Sequence, residues 1–224
     1  MIKAETSIKN IEGAIFDLDG TILDSMFIWN EIGYKFLENK NIQAPPGADK
    51  EFIKMSLKQA AEYYIEHFDN TATIESIIND INNLVQDFYF HQVEKKPYIS
   101  EFLEYLKKRN VKMCIATATD KYLVEKALER NGIREYFSEI FTCNGVGAGK
   151  DTPVIYEKAL EHLGTNKEKT FVFEDALYAI ETANKADFNI VGIKDVSETA
   201  DPDTIKSLCN IFINEYSEIY QYFD

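Results

Sequence analysis

The sequence predicts an α/β fold, a parallel sheet core flanked by helices, into which a helical segment is inserted near the start. Three observations carry this. The apolar run Ala14-Ile15-Phe16 ends in Asp17-Leu18-Asp19-Gly20-Thr21, as a buried strand does when it delivers carboxylates to a sheet edge. Beyond Pro97, helix-like and strand-like segments alternate as far as Ile213, the pattern of parallel strands joined by helices. Between these two regions, from about Met26 to Lys95, apolar residues recur only at helical spacing.

Each element follows from its residues. After Asp24-Ser25, the residues Phe27, Trp29, Ile32, Phe36 and Leu37 mark a long amphipathic helix. Pro45-Pro46-Gly47 breaks the chain, and Phe52, Ile53, Met55, Leu57, Ala60, Ala61, Tyr64 and Ile65 indicate one or two further helices. Ile74, Ile77, Ile78, Ile81, Leu84, Val85 and Phe88 make another, opened by Thr73 with Ser76 three residues on, a plausible start without the acid of a full capping box. The next helices are expected over 99–109, 120–131, 153–163 and 177–185. Strands are expected over 112–116, 139–142, 170–173, 190–193 and 211–213. The boundaries this implies are residues 1–25 with 96–224 for the α/β core and residues 26–95 for the helical insertion.

The 224 residues can bury a sizeable core, and 45% hydrophobic with 28% charged residues is ordinary globular composition. With 38 acidic against 24 basic residues the formal charge is -14, which repels a nucleic-acid backbone at long range. No nucleic-acid partner is expected. A small phosphorylated metabolite stays compatible, because a bound divalent cation and local donors invert the field within one cleft. Cys114, Cys143 and Cys209 are an odd number with no close pair, and Cys114 and Cys209 fall in or at the start of expected strands, so they read as buried thiols in a reducing cytoplasm. The N-terminus has no basic segment followed by an apolar stretch, and no run approaches the ~20 apolar residues of a membrane span. No membrane partner is expected.

Polar and charged groups recur in a fixed order after the apolar strands: Asp17 to Thr21, then Ile115-Ala116-Thr117, then Gly149-Lys150-Asp151-Thr152-Pro153, then Phe171-Val172-Phe173-Glu174-Asp175. The glycines at 145, 147 and 149 do not make a nucleotide loop. The Walker spacing puts Asn144 where glycine belongs, and a Rossmann Gly-x-Gly-x-x-Gly would need glycine at Lys150. His67, His91 and His162 are scattered without metal-ligand spacing and read as surface or partly packed residues.

The ordered set resembles the haloacid dehalogenase (HAD) superfamily, in the branch whose helical cap is inserted soon after the first motif, alongside beta-phosphoglucomutases and phosphoglycolate phosphatases. The resemblance runs from about Glu12 to Ile213 and implies a Rossmann-like core with an α-helical cap. It implies Asp17 as a nucleophile that becomes an aspartyl phosphate, and Asp19, on the same side of an extended segment, as the acid and base for the leaving oxygen and for water. Phosphoryl transfer also needs a metal, and Mg2+ is expected on Asp17 and Asp175; the resemblance implies that the main-chain carbonyl of Asp19 also binds it and that Glu174 does so directly or through water. A helix N-cap role for Glu174-Asp175 is compatible with this. Thr117, with adjacent amides such as that of Ala118, and the compact charge of Lys150 are expected to hold the phosphate.

Asp19 argues against the dehalogenases and phosphonatases of the superfamily, whose leaving groups need no such protonation. A phosphatase and a sugar-phosphate mutase remain. A mutase anchors a second phosphate, a task suited to arginine, and no arginine occurs before Arg109. The histidine that resembling phosphoglucomutases carry after the first motif corresponds to Trp29. Cap lysines, including Lys50, Lys54 and Lys58, are left to compensate. The expectation is therefore a phosphatase, with the mutase as alternative and a non-catalytic binding module as a third reading. The cap is expected to select substrate and exclude water, with Trp29, Phe27 and Met26 as contacts or as bundle core. Tyr216, Ile219, Tyr220 and Phe223 are expected to cover the domain edge or a partner.

Overall fold

The computed structural model describes residue 8 and residues 10–44 and 57–223. The chain divides into two compact units, Met1–Asp24 with Glu94–Asp224, and Ser25–Val93. Its strands are β1 (Gly13–Phe16), β2 (Leu23–Asp24), β3 (Glu94–Lys95), β4 (Lys112–Thr117), β5 (Ile140–Thr142), β6 (Thr170–Glu174), β7 (Asn189–Ile193) and β8 (Ile211–Ile213). The second unit contains α1 (Met26–Asn39), α2 (Leu57–His67) and α3 (Ile74–His91). The first contains α4 (Ile99–Lys108), α5 (Lys121–Arg130), α6 (Cys143–Val146), α7 (Val154–Leu163), α8 (Leu177–Lys185) and α9 (Pro202–Leu208).

Six strands form one parallel sheet in the order β5-β4-β1-β6-β7-β8, the α/β architecture the alternation predicts. Residues 13–16 and 170–174 are buried throughout, because helices cover both faces of a parallel sheet. On one face Phe16 stacks on Phe173 at 4.3 Å between ring centres and meets Phe102 and Phe137 edge-on. On the other, Ile15, Cys114, Ala116 and Val172 pack with Ile155, Tyr156 and Ala159 of α7 and with Ile180 and Ala183 of α8. The order reverses at β1, whose neighbours β4 and β6 lie on opposite sides, so the carboxyl ends of these three strands frame a topological switch point. Asp17, Thr117 and Glu174 stand at those ends.

Several local expectations change. Thr73 and Ser76 close a full reciprocal capping box, contrary to the expectation of a start without one, since Ser76 N donates to Thr73 Oγ1 and Thr73 N to Ser76 Oγ, each at 3.2 Å. Cys209 follows α9 rather than starting a strand, although it is buried, as is Cys114, while Cys143 is half-buried. The C-terminal aromatics pack within the first unit: Tyr216 stacks on Phe102 at 5.4 Å, and Tyr220 and Phe223 meet Tyr105 edge-on.

In the second unit Phe36, Leu37, Ala61, Tyr64, Ile77 and Ile81 form a core cluster, and outside that cluster Phe27, 43% exposed, meets Phe88 edge-on. Met26 is half-buried. The expected break at Pro45-Pro46-Gly47, the apolar positions Phe52, Ile53 and Met55, and Lys50 and Lys54 lie outside the described residues, as do the side chains of Trp29 and Lys58. The three histidines are exposed, and among the described residues no helix is long and apolar enough to cross a membrane.

Candidate active site

Strand β1 ends by pairing Phe16 with Ile115 and Phe173, and the Asp17 amide continues that ladder onto the Phe173 carbonyl at 2.9 Å. Asp17 is thereby held at the sheet edge, 6% exposed. The chain then turns tightly: Ile22 N and Leu23 N both donate to the Leu18 carbonyl, and Gly20 N donates to the Leu23 carbonyl at 3.0 Å. Gly20 has φ +84°, and a Cβ there would lie 2.2 Å from Asp175 Oδ2. Only glycine both adopts that conformation and admits the carboxylate. Gly20→Ala is expected to lower the unfolding free energy by about 1–3 kcal/mol and to displace Asp175, read by urea denaturation and by loss of turnover.

Thr21, on the far side of the turn, donates from Oγ1 to Asp175 Oδ1 at 2.8 Å. Asp17, Glu174 and Asp175 each offer an oxygen, all within 4.8 Å of one another, and all three residues are buried. The Lys150 ammonium, 4% exposed, donates to Asp17 Oδ1 and to Glu174 Oε1, the latter at 2.7 Å. Tyr156 donates its hydroxyl to the same Glu174 oxygen at 3.2 Å, and the Asp175 amide donates to Glu174 Oε2 at 3.0 Å.

Three carboxylates thus face one ammonium, an excess of two negative charges (three minus one) in a desolvated site. Burial first, then the Glu174 carboxylate, pushes the Asp17 carboxyl up to about 8. Burial, Glu174 and Asp17 raise Asp175 well above the usual carboxylate range. For Lys150 burial opposes the charge, but Asp17 and Glu174 outweigh it and hold the ammonium protonated. A set of hard oxygen donors with surplus negative charge fits a divalent cation.

The structure thus brings Asp17, Glu174 and Asp175 together, with Lys150 in contact with Asp17 and Glu174. Asp19 lies outside the carboxylate cluster, and its Oδ2 accepts from Thr119 Oγ1 at 2.6 Å. Thr117 is fully buried at the end of β4, its hydroxyl accepting from the Thr119 amide at 3.0 Å, and Ala118 is exposed beside it. Glu174 and Asp175 do not cap α8, contrary to the capping expectation. Ala176 is the N-cap residue, and the Leu177 amide donates instead to Glu198 Oε2 at 2.9 Å.

Sequence reasoning assigned no role to the Thr21 side chain, Thr119, Tyr156 or Glu198. A hydroxyl two residues beyond the end of β4 was the available signal for Thr119. Tyr178, 55% exposed on the first turn of α8, stands in the field of Lys150, Glu174 and Asp17.

The family model of haloacid dehalogenase-like hydrolases matches residues 14–193. Among curated proteins, a phosphorylated carbohydrates phosphatase from Thermotoga maritima is 24% identical over 176 residues, 79% of this chain and 82% of that protein. The fructose-1-phosphate phosphatase YqaB from Escherichia coli is 23% identical over 182 residues, 81% of this chain and 96% of that one. Among solved structures, a Thermotoga maritima protein provisionally assigned as beta-phosphoglucomutase superposes with a TM-score of 0.82 at 22% identity, covering 94% of this chain and 97% of its own. At that identity the likeness carries the fold.

Proposed function

The chain belongs to the haloacid dehalogenase-like hydrolases, and we propose that within them it is a Mg2+-dependent phosphatase of small phosphorylated carbohydrates that works through an aspartyl phosphate on Asp17. The observation that carries this reading is the buried cluster of Asp17, Glu174 and Asp175 around Lys150 at the switch point of the sheet. Asp17 and Asp175 would hold the cation with the Asp19 carbonyl and, directly or through water, Glu174; bound there, it neutralises charge on the phosphoryl oxygens.

Lys150, the Thr117 hydroxyl and the Ala118 amide hold the transferring phosphate. The Asp17 carboxylate attacks phosphorus in line with the leaving oxygen, an oxygen–phosphorus bond forming to Asp17 as the ester bond breaks. Asp19 gives its proton to the departing alkoxide. It then takes a proton from the water that attacks the aspartyl phosphate, which releases phosphate and returns the Asp17 carboxylate. The residues 25–93 are the proposed cap. The names of the relatives favour sugar phosphates over nucleotides.

The test is phosphate release from a panel of sugar phosphates, phosphoglycolate, pyrophosphate, polyol phosphates and nucleotides. Release from sugar phosphates with Mg2+, abolished by EDTA and restored by added Mg2+, is the expected result. Isomerisation of hexose phosphates without phosphate release would replace the phosphatase reading by the mutase one.

A further inference from the structure

Lys96 joins the turn that follows Asp17 to the 194–198 turn that follows β7. Its amide donates to the Ile22 carbonyl at 2.8 Å, in the turn that follows Asp17. Its ammonium donates to Asp195 Oδ2 at 2.7 Å, and the two side chains are only 14% and 2% exposed. The same ammonium reaches the Lys194 carbonyl at 3.4 Å. Asp195 Oδ1 in turn accepts from the amide and the hydroxyl of Ser197, at 2.9 and 2.6 Å. That turn presents Glu198, whose Oε1 accepts from the Ala200 amide at 2.8 Å while Oε2 accepts from the Leu177 amide at the start of α8. Leu177 is two residues beyond Asp175.

A second observation links the same groups. Asp175, Asp195 and Glu198 line one pocket of about 240 Å3, with Asn214 and Lys194 in its wall. A carboxylate as buried as Asp195 is tolerated there because Lys96 offsets its charge, and breaking such a pair by removing one partner leaves the other uncompensated. Exposed ion pairs elsewhere in the unit, such as Arg130 with Glu94, have no such role.

We infer that Lys96 and Asp195 are positioning residues for Asp175: their buried ion pair holds the 194–198 turn, and through Glu198 the start of α8, where Asp175 must stand to ligate a divalent cation. The inference rests on the reading of Asp175 as a cation ligand, and the experiment separates the two. Mg2+ affinity of the full chain is measured by calorimetry, and the Mg2+ concentration for half-maximal phosphate release by titration, for wild type, Lys96→Met, Asp195→Asn, the double variant and Arg130→Gln.

Each single substitution is expected to weaken Mg2+ binding about tenfold by both readouts, with turnover at saturating Mg2+ close to wild type. The double variant, which buries no unpaired charge, recovers part of the loss, and Arg130→Gln matches wild type. Lowered melting temperatures with unchanged Mg2+ constants would overturn the inference and leave the pair a structural brace. Should a single variant not fold, Glu198→Ala, which keeps the ion pair and removes the α8 contact, must give the same weakening or the inference falls. A wild-type chain that binds no Mg2+ would instead overturn the reading of Asp175 as a ligand.

Discussion

Asp17→Asn is expected to abolish phosphate release, on the order of 10^4- to 10^6-fold, and to leave the chain folded. The amide keeps the shape of the side chain but is too weak a nucleophile to form the phosphoryl bond. Stability should respond in the opposite direction. In the folded chain the Asp17 carboxyl is raised from 3.8 to about 8, by burial and by Glu174. A group raised in this way favours the fold below its unfolded value and loses that contribution as pH rises through the folded one. Without Mg2+, wild type should therefore fall behind Asp17→Asn in melting temperature as pH climbs from about 4 to about 8. Thermal melts of both proteins in EDTA across that range check the sign. A variant that melts lower than wild type at the alkaline end would contradict it.

Lys150→Met carries the second large effect. The ammonium is the direct partner of both Asp17 and Glu174, and methionine keeps its stem while removing the charge. Three buried carboxylates are then left facing one another, and breaking such a pair costs about 3–5 kcal/mol. Phosphate release should fall about 10^2- to 10^3-fold, since one preorganised cation for the transition-state oxygens is lost. Added Mg2+ should recover part of the melting temperature, because it supplies positive charge to the same oxygens, but not the turnover. Lys150→Arg is not expected to rescue activity, as the planar guanidinium is larger than the ammonium it replaces in a fully packed site.

How much of this was legible in the sequence differs by element for physical reasons. The six-stranded sheet and its longer helices were readable because the strands are largely continuous apolar runs and those helices repeat at 3.6-residue spacing. The paired strands β2 and β3 have two residues each and show no period at all. Helix α9 could have been found from Asp201-Pro202, since the Asp201 side chain caps Thr204 N at 3.0 Å and proline suits the first helical position, but at seven residues it shows little apolar repeat. In the site, Asp17, Lys150 and Asp175 stood out because residue type and chain order together named them. Thr21 with Asp175, and Lys96 with Asp195, did not, because residues 154 and 99 positions apart meet only once the sheet is assembled.

The most direct test of the central claim is acid quenching of the enzyme during turnover of a sugar phosphate with Mg2+, followed by borohydride reduction and mass spectrometry of the peptides. The account predicts that the peptide containing Asp17 is modified at Asp17, in wild type and not in Asp17→Asn. Modification at another residue, or turnover with no modified peptide when the acyl phosphate of a control phosphatase is trapped under the same conditions, would contradict it.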